Sequence, residues 1–180
     1  VNGLESMFIN VAGLAFTNRT ELVFSYNDYL KGTDIKMFAF GFSQRIGDAG
    51  VIGLNVVSMS FGEIEVTTPD SPEGGRGTFK PSLMNISIAY AKAFSNSIYG
   101  GITVKIISET IADASAQGIA IDAGIQYVTG EREQIKFGIA LKNIGPTMKF
   151  SGDGLLRSAY LPGEDNALSM SMPSESFELP

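Results

Sequence analysis

The sequence predicts an all-β chain carrying about seven strands of a transmembrane antiparallel β-barrel. Three observations carry that expectation. Large apolar residues alternate with small or polar ones at period two along most of the chain, and helical periodicity is scarce. Short connections alternate with long polar ones, as in a barrel with tight turns at one end and extended loops at the other. The face opposite the apolar one consists of Gly, Ala, Ser and Asn with isolated charges, which suits a crowded, wet lumen.

The elements follow in order. A short strand near residues 21–26 places Leu22, Phe24 and Tyr26 together. Over residues 36–44, Phe38, Phe40 and Phe42 share one face and Met37, Ala39, Gly41 and Ser43 the other. Residues 51–66 also alternate, but the phase slips at Val56 and Val57, where a β-bulge is expected. Residues 83–91 set Met84, Ile86, Ile88 and Tyr90 against Asn85, Ser87, Ala89 and Ala91. Residues 98–106 set Ile102, Val104 and Ile106 against Gly101, Thr103 and Lys105. In residues 119–128, Ile119, Ile121, Ile125 and Tyr127 oppose Ala120, Asp122, Gly124 and Gln126. In residues 135–142, Ile135, Phe137, Ile139 and Leu141 oppose Lys136, Gly138, Ala140 and Lys142.

Residues 47–50, 95–97 and 129–133 read as short turns, and residues 27–34 as an intermediate connection on the opposite end. Long external loops are expected near residues 67–82, 108–118 and 146–180 of a single partial-barrel domain spanning 1–180. The last of these is rich in Ser, Pro, Gly and acidic residues and stops at Phe177-Glu178-Leu179-Pro180 as if another strand should follow. A soluble β-sandwich would also have one apolar face. Its other face would meet bulk water, whereas here that face is mostly small. The barrel is therefore favoured over a sandwich adhesion module. Glu63 and Glu65 follow Phe61 toward a long loop, the order a membrane boundary produces. Seven strands do not close a bacterial barrel, and an open edge in hydrocarbon costs several kcal/mol per unpaired group. The segment is thus expected to be part of a larger barrel.

Composition narrows the chemistry. The chain has no Cys, His or Trp, which removes disulfide frameworks, Cys/His zinc sites and thiolate or His-based nucleophilic triads. A net charge of −6 without a basic tract argues against nucleic acid as a partner. Glu63 and Glu65 read as a solvated loop edge rather than a carboxylate pair for acid–base work. Glu73-Gly74-Gly75-Arg76-Gly77 lacks the Gly-Lys-Ser/Thr ending of a phosphate loop and reads as flexible loop. Asp113 stands in a segment without the ligand spacing of a calcium loop. No enzyme, cofactor or metal site is expected. Lys105, Asp122, Lys136 and Lys142 all fall on the lumenal face of consecutive strands and are expected to form a structural charge network. Asp70, Ser71, Glu73 and Arg76, in the first long loop, are the candidate partner contacts, because binding residues collect on loops positioned by a rigid scaffold.

A family resemblance adds to this reading. Ile9-Asn10-Val11-Ala12-Gly13-Leu14-Ala15 resembles the Asn-Pro-Ala-Gly-Leu-Ala segment of the PorV/PorQ family, with Val11 where that family has Pro. Residues 61–68 are similar to the end of its third strand. Residues 104–109 and 114–124 resemble its most recognisable stretch, and Lys142-Asn143-Ile144-Gly145 its strand ending. The similar pieces run in order from about residue 9 to 152. The resemblance implies a barrel related to the FadL-type transporters, of about fourteen strands when complete. It further implies a bacterial outer-membrane location and membership of the Bacteroidetes-type type IX secretion system. Its partners would be outer-membrane lipid, other translocon proteins and cargo bearing C-terminal signal domains, docked or shuttled without enzymatic chemistry. The same relationship leaves open a FadL-like transporter of hydrophobic small molecules.

Overall fold

The computed structural model describes residues 2–67, 71–130, 134–160 and 167–179. The strands are β1 (Thr20–Tyr29), β2 (Ile35–Ile46), β3 (Gly50–Ser60), β4 (Ile64–Glu65), β5 (Thr78–Phe79), β6 (Ser82–Ala93), β7 (Ile98–Ile111), β8 (Ala114–Thr129), β9 (Ile135–Ile144), β10 (Phe150–Ser151), β11 (Leu156–Tyr160) and β12 (Ala167–Ser171). One antiparallel sheet of eight strands runs β1-β2-β3-β6-β7-β8, with β9 and β10 sharing the far side of β8. Two small hairpins, β4-β5 and β11-β12, stand apart from it. The sheet stays open, with β1 at one edge and β9 and β10 at the other. Among the described residues no helix is long and apolar enough to cross a membrane.

The period-two pattern sets the faces. Ile102, Val104 and Ile106 of β7 are exposed on the outer face, while Thr103, Lys105 and Ile107 are buried on the inner one. On the outer face of β1 and β2 the ring of Phe38 meets Phe24 and Tyr26 edge-on, at centroid distances of 5.6 and 5.1 Å. Such pairs contribute about 0.5–1.5 kcal/mol beyond the area they bury.

The inner face is covered by the N-terminal segment, which the sequence reading did not assign. Two 3-10 turns, Leu4–Phe8 and Val11–Phe16, precede β1. Leu4, Met7, Val11, Leu14 and Ala15 are buried there against Val51, Ala89 and Ala91 of the sheet. Inward-facing glycines make room for them. A Cβ on Gly41 would stand 2.8 Å from Leu4, one on Gly53 2.8 Å from Met7, and one on Gly101 3.0 Å from the Val11 carbonyl. The end of the inner face nearer the β7-β8 turn is covered by the tail, where Met148 packs on Ile107, Ala116 and Ala120 with Phe150, Phe177 and Leu179 around it. Met148 and Phe177 exchange two backbone hydrogen bonds, of 2.8 and 2.9 Å.

Three expectations are corrected. Val56 and Val57 form no bulge: β3 keeps unbroken register with β2 and with β6. The apolar pattern changes face instead, so Val57 and Met59 turn inward while the strand stays regular to Ser60. Gly62, at φ 78°, then breaks the chain direction, and Ile64–Glu65 pairs with Thr78–Phe79. Residues 108–118 are no loop. β7 and β8 pair as far as Ile111 opposite Ala114 and turn over Ala112 and Asp113 alone, so short and long connections do not alternate strictly. The polar residues Ser108, Thr110 and Ser115 imitate a loop in sequence, yet their backbone groups belong to the ladder. Residues 146–180 likewise contain β10, a 3-10 turn at Asp153–Leu155 and the β11-β12 hairpin, and Met148 and Phe177 bury apolar surface in the second cluster.

A side chain introduced at an inward glycine should dislodge the N-terminal segment. Gly101→Val is expected to lower stability by about 1–3 kcal/mol, the usual effect of overpacking, and to speed protease cleavage within residues 2–17. An unchanged denaturation midpoint with unchanged cleavage would contradict the packing described here.

Candidate functional site on the inner face

Between the two apolar clusters the inner face is polar. Asn55, Ser87, Thr103, Lys105 and Asp122 are buried there on four strands. At its centre the Lys105 ammonium lies 2.5 Å from Asp122 Oδ2, and their side chains are 11% and 5% exposed. Lys105 Nζ also donates to Asn143 Oδ1 at 2.9 Å, and Asp122 Oδ1 accepts the backbone N–H of Asn143 at 2.8 Å. The two charges therefore have hydrogen-bonding partners besides each other, the condition under which a buried pair can offset the cost of leaving water.

This group also shapes β9. Ile121 stands opposite Ile144, but Ala123 stands opposite Leu141, so two steps on β8 match three on β9. The extra residue is a bulge beside Asp122. Asn143 lies there at φ 56°, the left-handed region that Asn tolerates best among side chains bearing a Cβ. Asp122 accepts the amide that leaves the regular ladder. The shift carries the chain onward so that Phe150 pairs with Ala116 and Ser151 with Ser115.

A second set of polar contacts ties the N-terminal segment to the sheet. Asn10 caps the second 3-10 turn by accepting from Ala12 N–H at 3.1 Å. Its amide donates to the carbonyls of Ile125 and Ile139, at 3.1 and 3.2 Å, across the β8-β9 pair. Arg45 donates to the carbonyls of Thr17 and Ala15, at 2.8 and 2.6 Å, where the second turn ends. Glu21 accepts from Leu4 N–H at 2.7 Å.

The four expected lumenal charges thus divide. Lys105 and Asp122 pair directly. Lys142, on edge strand β9, is exposed and donates to the Phe8 carbonyl at 2.6 Å, so it holds the N-terminal segment instead. Lys136 is exposed near the start of β9 and does not join the buried pair. Of the expected partner contacts, Ser71, Glu73 and Arg76 lie in the connection between β4 and β5, with Glu73 and Arg76 exposed, and Asp70 falls outside the described residues. Glu63 forms a 2.7 Å ion pair with Lys80 beside the β4-β5 hairpin. The hydrogen bond and charge of Glu63 hold the Lys80 ammonium above its ordinary pKa. Both side chains are largely exposed, so the pair contributes little to stability. Asp113 lies in the two-residue β7-β8 turn.

Sequence reasoning missed Asn10, Arg45, Glu21 and Asn143. Only Asn10 had a local signal, a capping residue before a short apolar run. Arg45 and Glu21 act on backbone groups of the N-terminal segment, and Asn143 meets the side chains of Lys105 and Asp122, all distant in sequence. The arrangement holds an inner lining in place and supplies no nucleophile with an adjacent base. No protein-family model matches the chain, and no curated protein matches it.

Lys105→Met leaves Asp122 buried without its counter-charge and should lower stability by about 3–5 kcal/mol. Pairing that change with Asp122→Leu should recover much of the loss, whereas Lys136→Met should stay within about 0.5 kcal/mol. Urea denaturation of the four proteins checks this. Equal effects at Lys105 and Lys136 would contradict it.

Proposed function

We propose that this chain forms part of the wall of a transmembrane antiparallel β-barrel in a bacterial outer membrane. There it serves, without enzymatic chemistry, as a docking or shuttling component of a type IX secretion system of the PorV/PorQ kind. One observation carries the membrane reading. The outer face bears large exposed apolar side chains on every long strand, Phe24, Phe40, Ile52, Ile88, Ile106, Ile125 and Ile139 among them. Soluble monomers rarely leave more than about 300–600 Å² of contiguous apolar surface. Lipid is the solvent that suits such a face, and a buried charged pair under a covering segment suits the interior of a barrel. The secretion assignment is supported by the ordered resemblance, of which the stretch Ile9 to Ala15 is the segment packed on the inner face.

Partner contact belongs to the connection between β4 and β5 on this reading, because the inner face is filled by the chain's own segments. A second reading, passage of hydrophobic small molecules, draws support from an apolar pocket of about 340 Å³ lined by Phe61, Ile64, Pro81, Leu83 and Ile111. Fatty-acid uptake that is unchanged in a deletion strain would remove it.

Ile139→Arg should cost about 2–4 kcal/mol near the bilayer midplane, and Glu73→Arg should be tolerated, as read from folded yield in detergent. Deleting residues 70–77 should spare membrane insertion and reduce recovery of secretion partners from solubilised membranes. Wild-type recovery after that deletion would move the contact away from the loop. Partition of the intact protein into the aqueous phase of a detergent extraction would sink the membrane reading itself.

A further inference from the structure

The outer face is not uniformly bulky. Gly100 on β7 and Ala123 on β8 both point outward and leave a hollow of about 350 Å³, walled by Tyr90, Phe94, Ile102 and Ile125. Volumes near 300 Å³ are at the small end of the range for ligand pockets. The walls are set by the fold. Tyr90 donates its hydroxyl to the Ala49 carbonyl, and Phe94 is folded over Gly100 so closely that a Cβ there would stand 2.7 Å from its ring. Lys92 lies directly opposite Gly100 in the register and on the same face. It is two residues past Tyr90, at the end of the sheet that carries the β6-β7 turn, and among the described residues it has no ion pair.

An apolar hollow with a cation at its turn-proximal end has the chemistry of a lipid molecule: an acyl chain along the hollow and an anionic headgroup at the ammonium. A Lys so placed keeps its stem on apolar surface and its charge at the headgroup level, where one basic residue contributes about 1 kcal/mol toward anionic lipid. A protein side chain could fill the hollow but would have no need of Lys92. We infer that Tyr90, Lys92, Phe94, Gly100 and Ala123 form a seat for one anionic phospholipid on the outer wall. The inference rests on the membrane-spanning reading above and adds a defined lipid site to it.

Full-length protein purified in detergent, given phosphatidylglycerol or phosphatidylethanolamine, and measured by native mass spectrometry tests the seat. The wild type should retain one phosphatidylglycerol in preference to phosphatidylethanolamine. Ala123→Phe should fill the hollow and abolish that retained lipid, with Gly100→Leu as the second filling variant if the first is poorly recovered. Lys92→Gln should lower the preference roughly fivefold, the effect of one basic residue, while Ile106→Phe, elsewhere on the same face, should change nothing. Retention in both filling variants, or an unchanged preference in Lys92→Gln, overturns the seat while the barrel stands. A wild-type dimer that Ala123→Phe converts to monomer also overturns it, assigning the hollow to a second copy. Protein soluble without detergent overturns the seat and the membrane reading together.

Discussion

The close approach of the N-terminal segment to the inner face is the constraint on which the rest of the structure depends. A 3-10 turn can lie on a sheet only where the strands beneath it offer almost no side chain. Gly41, Gly53, Gly101 and Gly124 provide that on four different strands, and Ala89 and Ala91 extend the same floor. Glycine lowers strand stability when it stands alone. Here the loss is offset by the burial of Leu4, Met7, Val11 and Leu14, each burial of this kind contributing about 1.5–3 kcal/mol. The small residues inside and the apolar residues outside are therefore two consequences of one arrangement. The sheet has its packing partner on the face that carries the small side chains.

The buried Lys105–Asp122 pair does a different task. In a sheet with an apolar lining at both ends, a charged centre is costly unless each lone pair and proton finds a partner. Asn143 supplies part of that satisfaction, and the backbone shift that brings it there is the β9 bulge. Electrostatics and register are thus coupled: the residue that solvates the pair is the one whose extra position re-aims the strand. The consequence reaches beyond the pair, since the shifted chain goes on to place Met148 and Phe150 over the second apolar cluster.

The inner face is occupied by the chain's own first and last segments, so the surface left free lies at the connections and on the outer face. On the outer face bulk is missing beside a lysine near Gly100 and Ala123, and polar residues such as Asp28, Lys36 and Gln117 stand toward the strand ends. The connection between β4 and β5 carries exposed charge at Glu73 and Arg76 and is anchored by a short hairpin, which gives a rigid base to a polar loop.

The strands and their faces were legible in the sequence because side chains on neighbouring positions of a strand must point to opposite sides, so solvent and packing imprint a period of two. Alternation alone placed all the long strands and identified Lys105 and Asp122 as facing the same interior. The helical spacing of Leu4, Met7, Val11 and Leu14 was also present in the chain, but it is too short to stand out from a loop. At Ser108 to Gln117 polarity suggested a loop where backbone pairing makes a hairpin, since a polar side chain does not prevent its own amide from joining a ladder. Sequence by itself determined the two-faced strands. Tertiary structure alone decided what covers the inner face, where the bulge falls and which charges meet, because those depend on groups that only the folded chain brings together: Lys105 with Asp122, Asp122 with the Asn143 amide, and Asn10 with the carbonyls of Ile125 and Ile139.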